Sequence, residues 1–483
     1  MISSLFGLFL AQSPLRCFVE HPPSSTTPNI CSTGYPIHPG STTVEDCARA
    51  CINDPECEQF VWPAHNTSIP CRLSHTCANP TKAAPQWTGY NKNSSCKPTP
   101  GAPTPAPPAN YSLVLMKEEA KQGSVCLDGS PGGYYIRHGN ADTKKWIVFH
   151  EGGGWCGSTL ECLLRTTTHL GSSKSWDPVF TGEEIGNTFD VAPFEEFTVV
   201  YAKYCDGGSW TGNSSETVNN TNPIYGPLGV RTNFYRGRLL LDSMLARLKA
   251  EGLDQASDLI YGGCSAGGLT SAQHVDYVAS LLPSVRVRGM TDAMFPLKHA
   301  TAAGNPDNHL YDMMSWGFYA WKAAPSVNQH CLAAKDNATA WQCMIGGILA
   351  PYVQTPHFYV QSKYDTWQMK AVLALNCTVT HCDPTAEQAW VDYGRLMVDA
   401  LAQIPPRHGV HLTNCAGHCQ VGRSDKWLRE TVNGTTIKDA FWAWYTKEQT
   451  PSPPTNYRYV SECDERPCGA DVCGSDSDGG RTS

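Results

Sequence analysis

The chain has 483 residues, 41% of them hydrophobic and 17% charged, with a formal net charge of −8 and a pI near 6.0. That length exceeds one average domain and supplies a large core, so two or more folded domains are expected and a disordered chain is excluded. The acidic balance leaves no basic footprint for nucleic acid or an anionic membrane surface, and neither is expected as a partner.

Twenty-two cysteines are too many for a reducing compartment unless they bind metal, and most of their spacings do not repeat a zinc pattern. Disulfides and a secreted, extracellular protein follow as expectations. Asn-X-Ser/Thr sequons at Asn66, Asn93, Asn110, Asn213, Asn219, Asn337, Asn376 and Asn433 point the same way, through their number and not through any one of them. Residues 1–14 read as a signal peptide: Leu5-Phe6-Gly7-Leu8-Phe9-Leu10 has the length of its apolar core, although a basic n-region is missing. No later stretch reaches the roughly 18 apolar residues of a membrane span.

Residues 15–96 hold Cys17, Cys31, Cys47, Cys51, Cys57, Cys71, Cys77 and Cys96, an even set in a short span, which predicts a disulfide-rich module. Thr43-Val44-Glu45-Asp46 would start a helix that carries Cys47 and Cys51 one turn apart on one face. Glu58 to Trp62 is a predicted strand. This run, with Cys57, Cys71 and the closing Trp87-Thr88-Gly89-Tyr90, resembles the PAN/apple domain family over roughly residues 40–96. The resemblance implies a binding module for protein or carbohydrate; a cysteine-stapled spacer with no ligand is the plainer alternative. Residues 97–110, containing KPTPGAPTPAPPA, form a proline-rich linker, extended and poor at packing.

From 111 to 450 the composition is that of a large globular unit. Gly132 to Ile136 suggests an early hairpin, Lys145 to His150 a buried strand and Phe197 to Tyr201 another. Asn233 to Ala250 carries Leu239, Leu240, Met244, Leu245 and Leu248 at helical spacing. Leu259-Ile260-Tyr261 is a short β-prone run followed by a helix over Leu269 to Leu282. Val285 to Met290 and His357 to Gln361 are strands, Ala386 to Ile404 a helix, Gly409 to Thr413 the final strand and Ile437 to Lys447 the final helix. The alternation predicts an α/β fold with a mainly parallel sheet and helices on both faces, and the G-x-S-x-G turn at Ser265 makes it α/β-hydrolase-like. Residues 451–483, with Cys463, Cys468 and Cys473, read as a polar tail, pinned or disordered.

Gly263-Cys264-Ser265-Ala266-Gly267 matches G-x-S-x-G between a strand and a helix, the context in which that motif presents a nucleophilic serine. A serine hydroxyl needs a base to take its proton, and the base needs an orienting acid. The strand at 357–361 runs into Ser362-Lys363-Tyr364-Asp365, which supplies an acid, and the strand at 409–413 runs into Asn414-Cys415-Ala416-Gly417-His418-Cys419, which supplies a base. Asp292 competes with Asp365. His357 and His411 lie inside strands, where packing is the commoner role. A metal site at His418 with its flanking cysteines is disfavoured, because disulfide sulfur is a poor ligand, and no metal or organic cofactor is expected. Gly152-Gly153-Gly154, after the early strand, suits an oxyanion-binding loop, with the N–H of Ala266 as a further donor. The glycines lack the lysine and hydroxyl of a phosphate loop. Cys264, on a tight turn beside the serine, is expected to find no disulfide partner, leaving an odd number of cysteines.

Glu151-Gly152-Gly153-Gly154-Trp155-Cys156, Gly263-Cys264-Ser265-Ala266-Gly267-Gly268, Val360 to Gln368 and Cys415-Ala416-Gly417-His418-Cys419-Gln420, in that order, resemble the pectin acetylesterase/Notum family of serine hydrolases. The resemblance implies Ser265 as nucleophile, Asp365 as orienting acid, His418 as base, and Gly153, Gly154 and Ala266 as oxyanion donors. It further implies a secreted carboxylesterase that removes O-acetyl groups from an acetylated polysaccharide in the cell wall or at the cell surface. A Notum-like deacylase of lipidated protein is the alternative within the family, and an inert glycan- or protein-binding chain the alternative outside it.

Overall fold

The computed structural model describes residues 110–180, 188–219, 232–305, 309–377, 382–446, 457–462 and 473, and six short strands before residue 93. The chain divides into two compact units, Met1–Pro107 and Pro108–Ser483. In the first, Phe18–His21, Trp87–Lys92, Gln59–Pro63 and Arg72–Ser74 form a four-stranded antiparallel sheet in that order, and Ile30–Cys31 pairs with Pro80–Thr81. The strand expected at 58–62 is present. The helix expected around Cys47 and Cys51 lies outside the described residues.

The second unit is built on a ten-stranded sheet. In chain order its strands are β1 (Tyr111–Leu115), β2 (Gly133–Arg137), β3 (Lys145–His150), β4 (Val179–Phe180), β5 (Thr198–Ala202), β6 (Asp258–Cys264), β7 (Arg286–Asp292), β8 (His357–Ser362), β9 (Gly409–Thr413) and β10 (Arg458–Val460). Across the sheet the order is β4-β1-β2-β5-β3-β6-β7-β8-β9-β10. From β5 to β10 every pair is parallel; β2, β1 and β4 extend the other end antiparallel. The sheet is mostly parallel with helices on its faces, as the alternation of elements predicts, and the fold is that of an α/β-hydrolase.

The central strands are apolar on both sides because both faces are covered. Trp146 and Val148 of β3 enter one hydrophobic cluster, while Ile147 and Phe149, pointing the opposite way, enter the other. The first cluster packs under helices α2 (Gly237–Ala250), α3 (Ala266–Leu281) and α6 (Pro384–Ala402) through Leu240, Met244, Leu269, Val275 and Trp390. The second lies under α7 (Ile437–Thr446), with Phe441 and Trp444 against Phe358 of β8 at centroid distances of 5.5 Å.

Two expectations are corrected, and the tail, expected as pinned or disordered, is pinned where it is described. Helix α2 begins at Gly237, because Thr232–Phe234 pairs antiparallel with Thr217–Asn219, and Leu239 is exposed while Leu241 is buried. The hairpin expected at Gly132 to Ile136 is one strand, β2, whose partner β1 lies before it in the chain. The tail contributes β10 to the sheet edge beside β9. A three-residue strand has too little pattern to be seen from sequence; only its neighbour's open edge defines it.

Candidate active site

Ser265 stands alone between β6 and α3 with φ 56° and ψ −122°, a backbone that costs a side-chain-bearing residue of the order of 1–3 kcal/mol. The surroundings hold it there. A Cβ at Gly267 would sit 2.1 Å from the His150 carbonyl oxygen, and one at Gly263 would sit 2.3 Å from the Gly267 oxygen. Only glycine lets the helix start this close to β3. The Ser265 N–H donates to Asp292 O at 2.9 Å, and the side chain sits where α3 opens its unpartnered N–H groups.

Asp365 ends the loop after β8 and caps helix α5 (Thr366–Ala371). Its Oδ1 accepts from the N–H groups of Trp367 and Gln368 at 3.0 Å each, and its Oδ2 accepts from Gln361 Nε2 at 3.1 Å. Both oxygens lie 3.0 Å from His418 Nδ1. The carboxylate is buried, and the imidazole retains about a fifth of its exposure. With Nδ1–H donating to Asp365, Nε2 is the ring's acceptor, the tautomer a general base requires.

His418 rides on a loop held from several sides. Cys415 is bonded to Cys473, and Cys419 to Cys264. Ser362 Oγ donates to Cys415 O at 2.6 Å, Lys426 Nζ to Ala416 O at 2.8 Å, and the Val421 N–H to Asp292 Oδ2 at 2.6 Å. The Cys264–Cys419 bond overturns the expectation that Cys264 has no partner. The turn that carries Ser265 brings the preceding side chain to the base loop, so the two cysteines meet at a sequence separation of 155. Among the described residues no cysteine is free. Cys264, His418 and Cys419 bring their donor atoms within 4.8 Å of one another, but the two sulfurs are spent on each other and offer no thiolate for a metal.

The competitors for the acid and base roles have other partners. Asp292 is fully buried, and burial pushes its carboxyl up to about 7, opposed by the Val421 and Gln420 N–H groups and by His418 nearby. It borders the site but anchors the base loop through Val421. His357 bonds Thr291 Oγ1 through Nε2, and His411 Nε2 lies 3.3 Å from Thr435 O; burial lowers the His357 imidazole well below its ordinary value.

The glycine loop after β3 passes beside the serine: a Cβ on Gly152 would stand 3.2 Å from Ser265 Cβ. Gly153 and Gly154 have φ of 129° and 63°, values that open to glycine the loop geometry a side chain would resist. Glu151 secures the loop from below, paired in a buried contact with Lys203 and accepting the Tyr204 N–H at 2.8 Å. A cavity of about 460 Å³ adjoins the loop, lined in part by Gly153, Gly154, Trp155, Leu170, Met313 and Trp367. Trp367 packs edge-on against Trp155 at 5.6 Å and lies 6.0 Å from the His418 ring. Lys203 and Tyr204 carry no motif in the sequence, and Gln361 lies in the Val360 to Gln368 run with no role of its own there; only their meeting with Glu151 and Asp365 gives them a part.

A serine hydroxyl on a strained turn, an imidazole bonded to a buried carboxylate and a glycine loop beside the serine are the parts that acyl transfer requires. The pectinacetylesterase family profile matches residues 105–466. Pectin acetylesterase 5 of Arabidopsis thaliana is 29% identical over 368 residues, covering 71% of this chain and 82% of its own length. Palmitoleoyl-protein carboxylesterase notum1' of Xenopus laevis is 27% identical over 348 residues, covering 68% of this chain and 66% of that protein. Among solved structures, the Wnt deacylase Notum from Drosophila superposes with a TM-score of 0.63 at 22% identity, over 74% of this chain and 97% of that one. The chain belongs to the pectinacetylesterase family and is a carboxylic ester hydrolase.

Proposed function

We propose that the protein is a secreted serine carboxylesterase that removes O-acetyl groups from an extracellular, pectin-like polysaccharide, with Ser265, Asp365 and His418 as its catalytic residues. The observation that carries this reading is the Asp365–His418 bond beside a serine held in a strained turn. His418 Nε2 takes the Ser265 proton as Oγ attacks the acetyl carbonyl. The tetrahedral oxyanion is met by the N–H groups of Gly153, Gly154 and Ala266. Collapse breaks the ester bond, His418 returns the proton to the sugar oxygen, and the acetyl group remains on Ser265. Water, deprotonated by His418, then attacks the acetyl-enzyme, releases acetate and restores the serine. Asp365 keeps Nδ1 protonated and steadies the imidazolium at each stage. No metal or organic cofactor has a part in these steps.

Secretion is supported by the cysteine content and the sequons, and the polysaccharide substrate by the similarity to pectin acetylesterases. The N-terminal unit then adds a glycan- or protein-binding module to the esterase. With a formal charge of −8 the whole molecule does not attract a polyanion, so recognition of a pectin-like chain depends on local groups at the cavity mouth.

A second reading, a deacylase of lipidated protein, draws on the largely apolar walls of the 460 Å³ cavity and on the Xenopus relatives. Turnover of p-nitrophenyl acetate, butyrate and palmitate, with acetate release from acetylated pectin and xylan in parallel, separates them. Acetate preference that vanishes in Ser265→Ala supports the acetylesterase; a preference for palmitate supports the deacylase. Equal turnover by wild type and Ser265→Ala on every ester would leave a binding protein.

A further inference from the structure

The loop that carries the oxyanion donors is itself held through its carbonyls. Arg165, the last residue of helix α1 (Thr159–Arg165), donates from Nη2 to Gly153 O at 2.8 Å, with Gly154 O at 3.5 Å, and from Nε to Leu170 O at 3.0 Å. Tyr204 donates its hydroxyl to Gly154 O at 2.8 Å and accepts the Ser209 N–H at 3.1 Å. The Arg165 guanidinium lies 5.0 Å from the centre of the Tyr204 ring. Helix α1 is tied to the same loop by the Cys156–Cys162 disulfide.

In a trans peptide the C=O and the following N–H point in opposite directions. Whatever grips Gly153 O therefore sets the direction of the Gly154 N–H. Both glycines have positive φ, so the loop has no side chain of its own to fix those peptide planes. A cationic donor on the carbonyl also polarises the peptide and strengthens its N–H as a donor.

We propose that Arg165, supported by Tyr204, is a positioning residue of the reaction: it clamps the carbonyl side of the glycine loop so that the Gly154 N–H faces the developing oxyanion. This rests on the acyl-transfer reading above. Arg165 touches no reacting atom in this scheme, and its effect belongs to the transition state more than to ground-state binding.

The test compares wild type, Arg165→Ala, Arg165→Met, Arg165→Lys, Tyr204→Phe and Ser265→Ala on p-nitrophenyl acetate, with melting temperatures and the affinity of a trifluoromethyl ketone whose serine adduct carries the oxyanion. Arg165→Ala is expected to lower kcat about 10²-fold with KM within about twofold, and to lower ketone affinity by the same factor as kcat/KM. Arg165→Lys, with one ammonium in place of a planar fork, restores part of the loss. Tyr204→Phe removes the donor on the next carbonyl, Gly154 O, and is expected to lose less than Arg165→Ala. Arg165→Met, which keeps the apolar stem without the donors, decides the matter if Arg165→Ala does not fold, and is expected to lose about 10²-fold in kcat. Wild-type kcat in Arg165→Ala at an unchanged melting temperature, or a loss of kcat with ketone affinity intact, overturns the clamp. With Arg165→Ala unfolded, a folded Arg165→Met with wild-type kcat and ketone affinity overturns it equally. If Ser265→Ala still turns over the ester, the acyl-transfer reading itself fails; an inactive Ser265→Ala beside a fully active Arg165→Ala removes the clamp alone.

Discussion

The turn that bears Ser265 and the loop that bears His418 lie side by side but are held by different means. The turn is kept in shape by neighbours in sequence and by close packing: Gly263, Gly267 and Gly268 let β6, α3 and the adjoining strands approach to distances at which any Cβ would collide. The base loop has no such internal rule. Two disulfides, the Asp365 carboxylate, the Asp292 carboxylate and the Lys426 ammonium reach it from elsewhere in the chain. Strain can be stored locally when the local sequence is small enough to permit it; a loop without that economy needs partners gathered by the fold.

The largest effects come from breaking the chemistry that joins the two regions. Ser265→Ala and Asp365→Asn are each expected to lower kcat on p-nitrophenyl acetate by about 10⁴-fold or more, the asparagine by favouring the wrong imidazole tautomer. Asp292→Asn, assayed beside them, is expected to keep far more activity, since Asp292 holds the loop and not the imidazole. Comparable losses in the two aspartate variants would undo the assignment of Asp365 as the orienting acid.

Cutting the covalent tie between the regions comes next. The Cys264→Ala/Cys419→Ala pair releases a crosslink that spans 155 residues, for which about 3–5 kcal/mol of stability is expected to be lost. Denaturant unfolding of the full chain measures it, and the same protein should show a lower kcat because the serine turn and base loop are freed from each other. A local break in the turn is smaller: Gly267→Ala forces a methyl against the His150 carbonyl, an overpacking expected to cost about 1–3 kcal/mol. An unchanged melting temperature for Gly267→Ala would contradict the packing argument.

The smallest effect is a change of slope. Burial raises the Asp292 carboxyl to about 7, above its ordinary value near 4 in the unfolded chain. The folded chain thus holds this proton more tightly, so the group's contribution to stability is present below its unfolded pKa and is lost as pH rises through about 7. Asp292→Asn, which retains an oxygen for the Val421 N–H, is expected to lose stability less steeply than wild type between about pH 5 and pH 8. Parallel stability curves for the two proteins would show that the carboxyl does not titrate in this range.

The sequence by itself determined the alternation of strands and helices, the parallel sheet and the strand-to-helix turn at Ser265, because hydrophobic period, glycine placement and strand endings are all local properties. It also narrowed the acid to residues at the ends of β7 and β8, and the base to the loop after β9 ahead of the two strand histidines. Tertiary structure decided the rest. Asp365 and Asp292 both follow strands, and only the distance across the sheet shows that the first meets His418 Nδ1 while the second meets Val421. Cys264 was misread as unpaired because its neighbours in sequence say nothing of a cysteine 155 positions away. The parts played by Arg165, Tyr204 and Gln361, and the strand β10, were invisible for the same reason: a hydrogen bond or an added strand depends on who stands opposite, and that is settled only when the chain has folded.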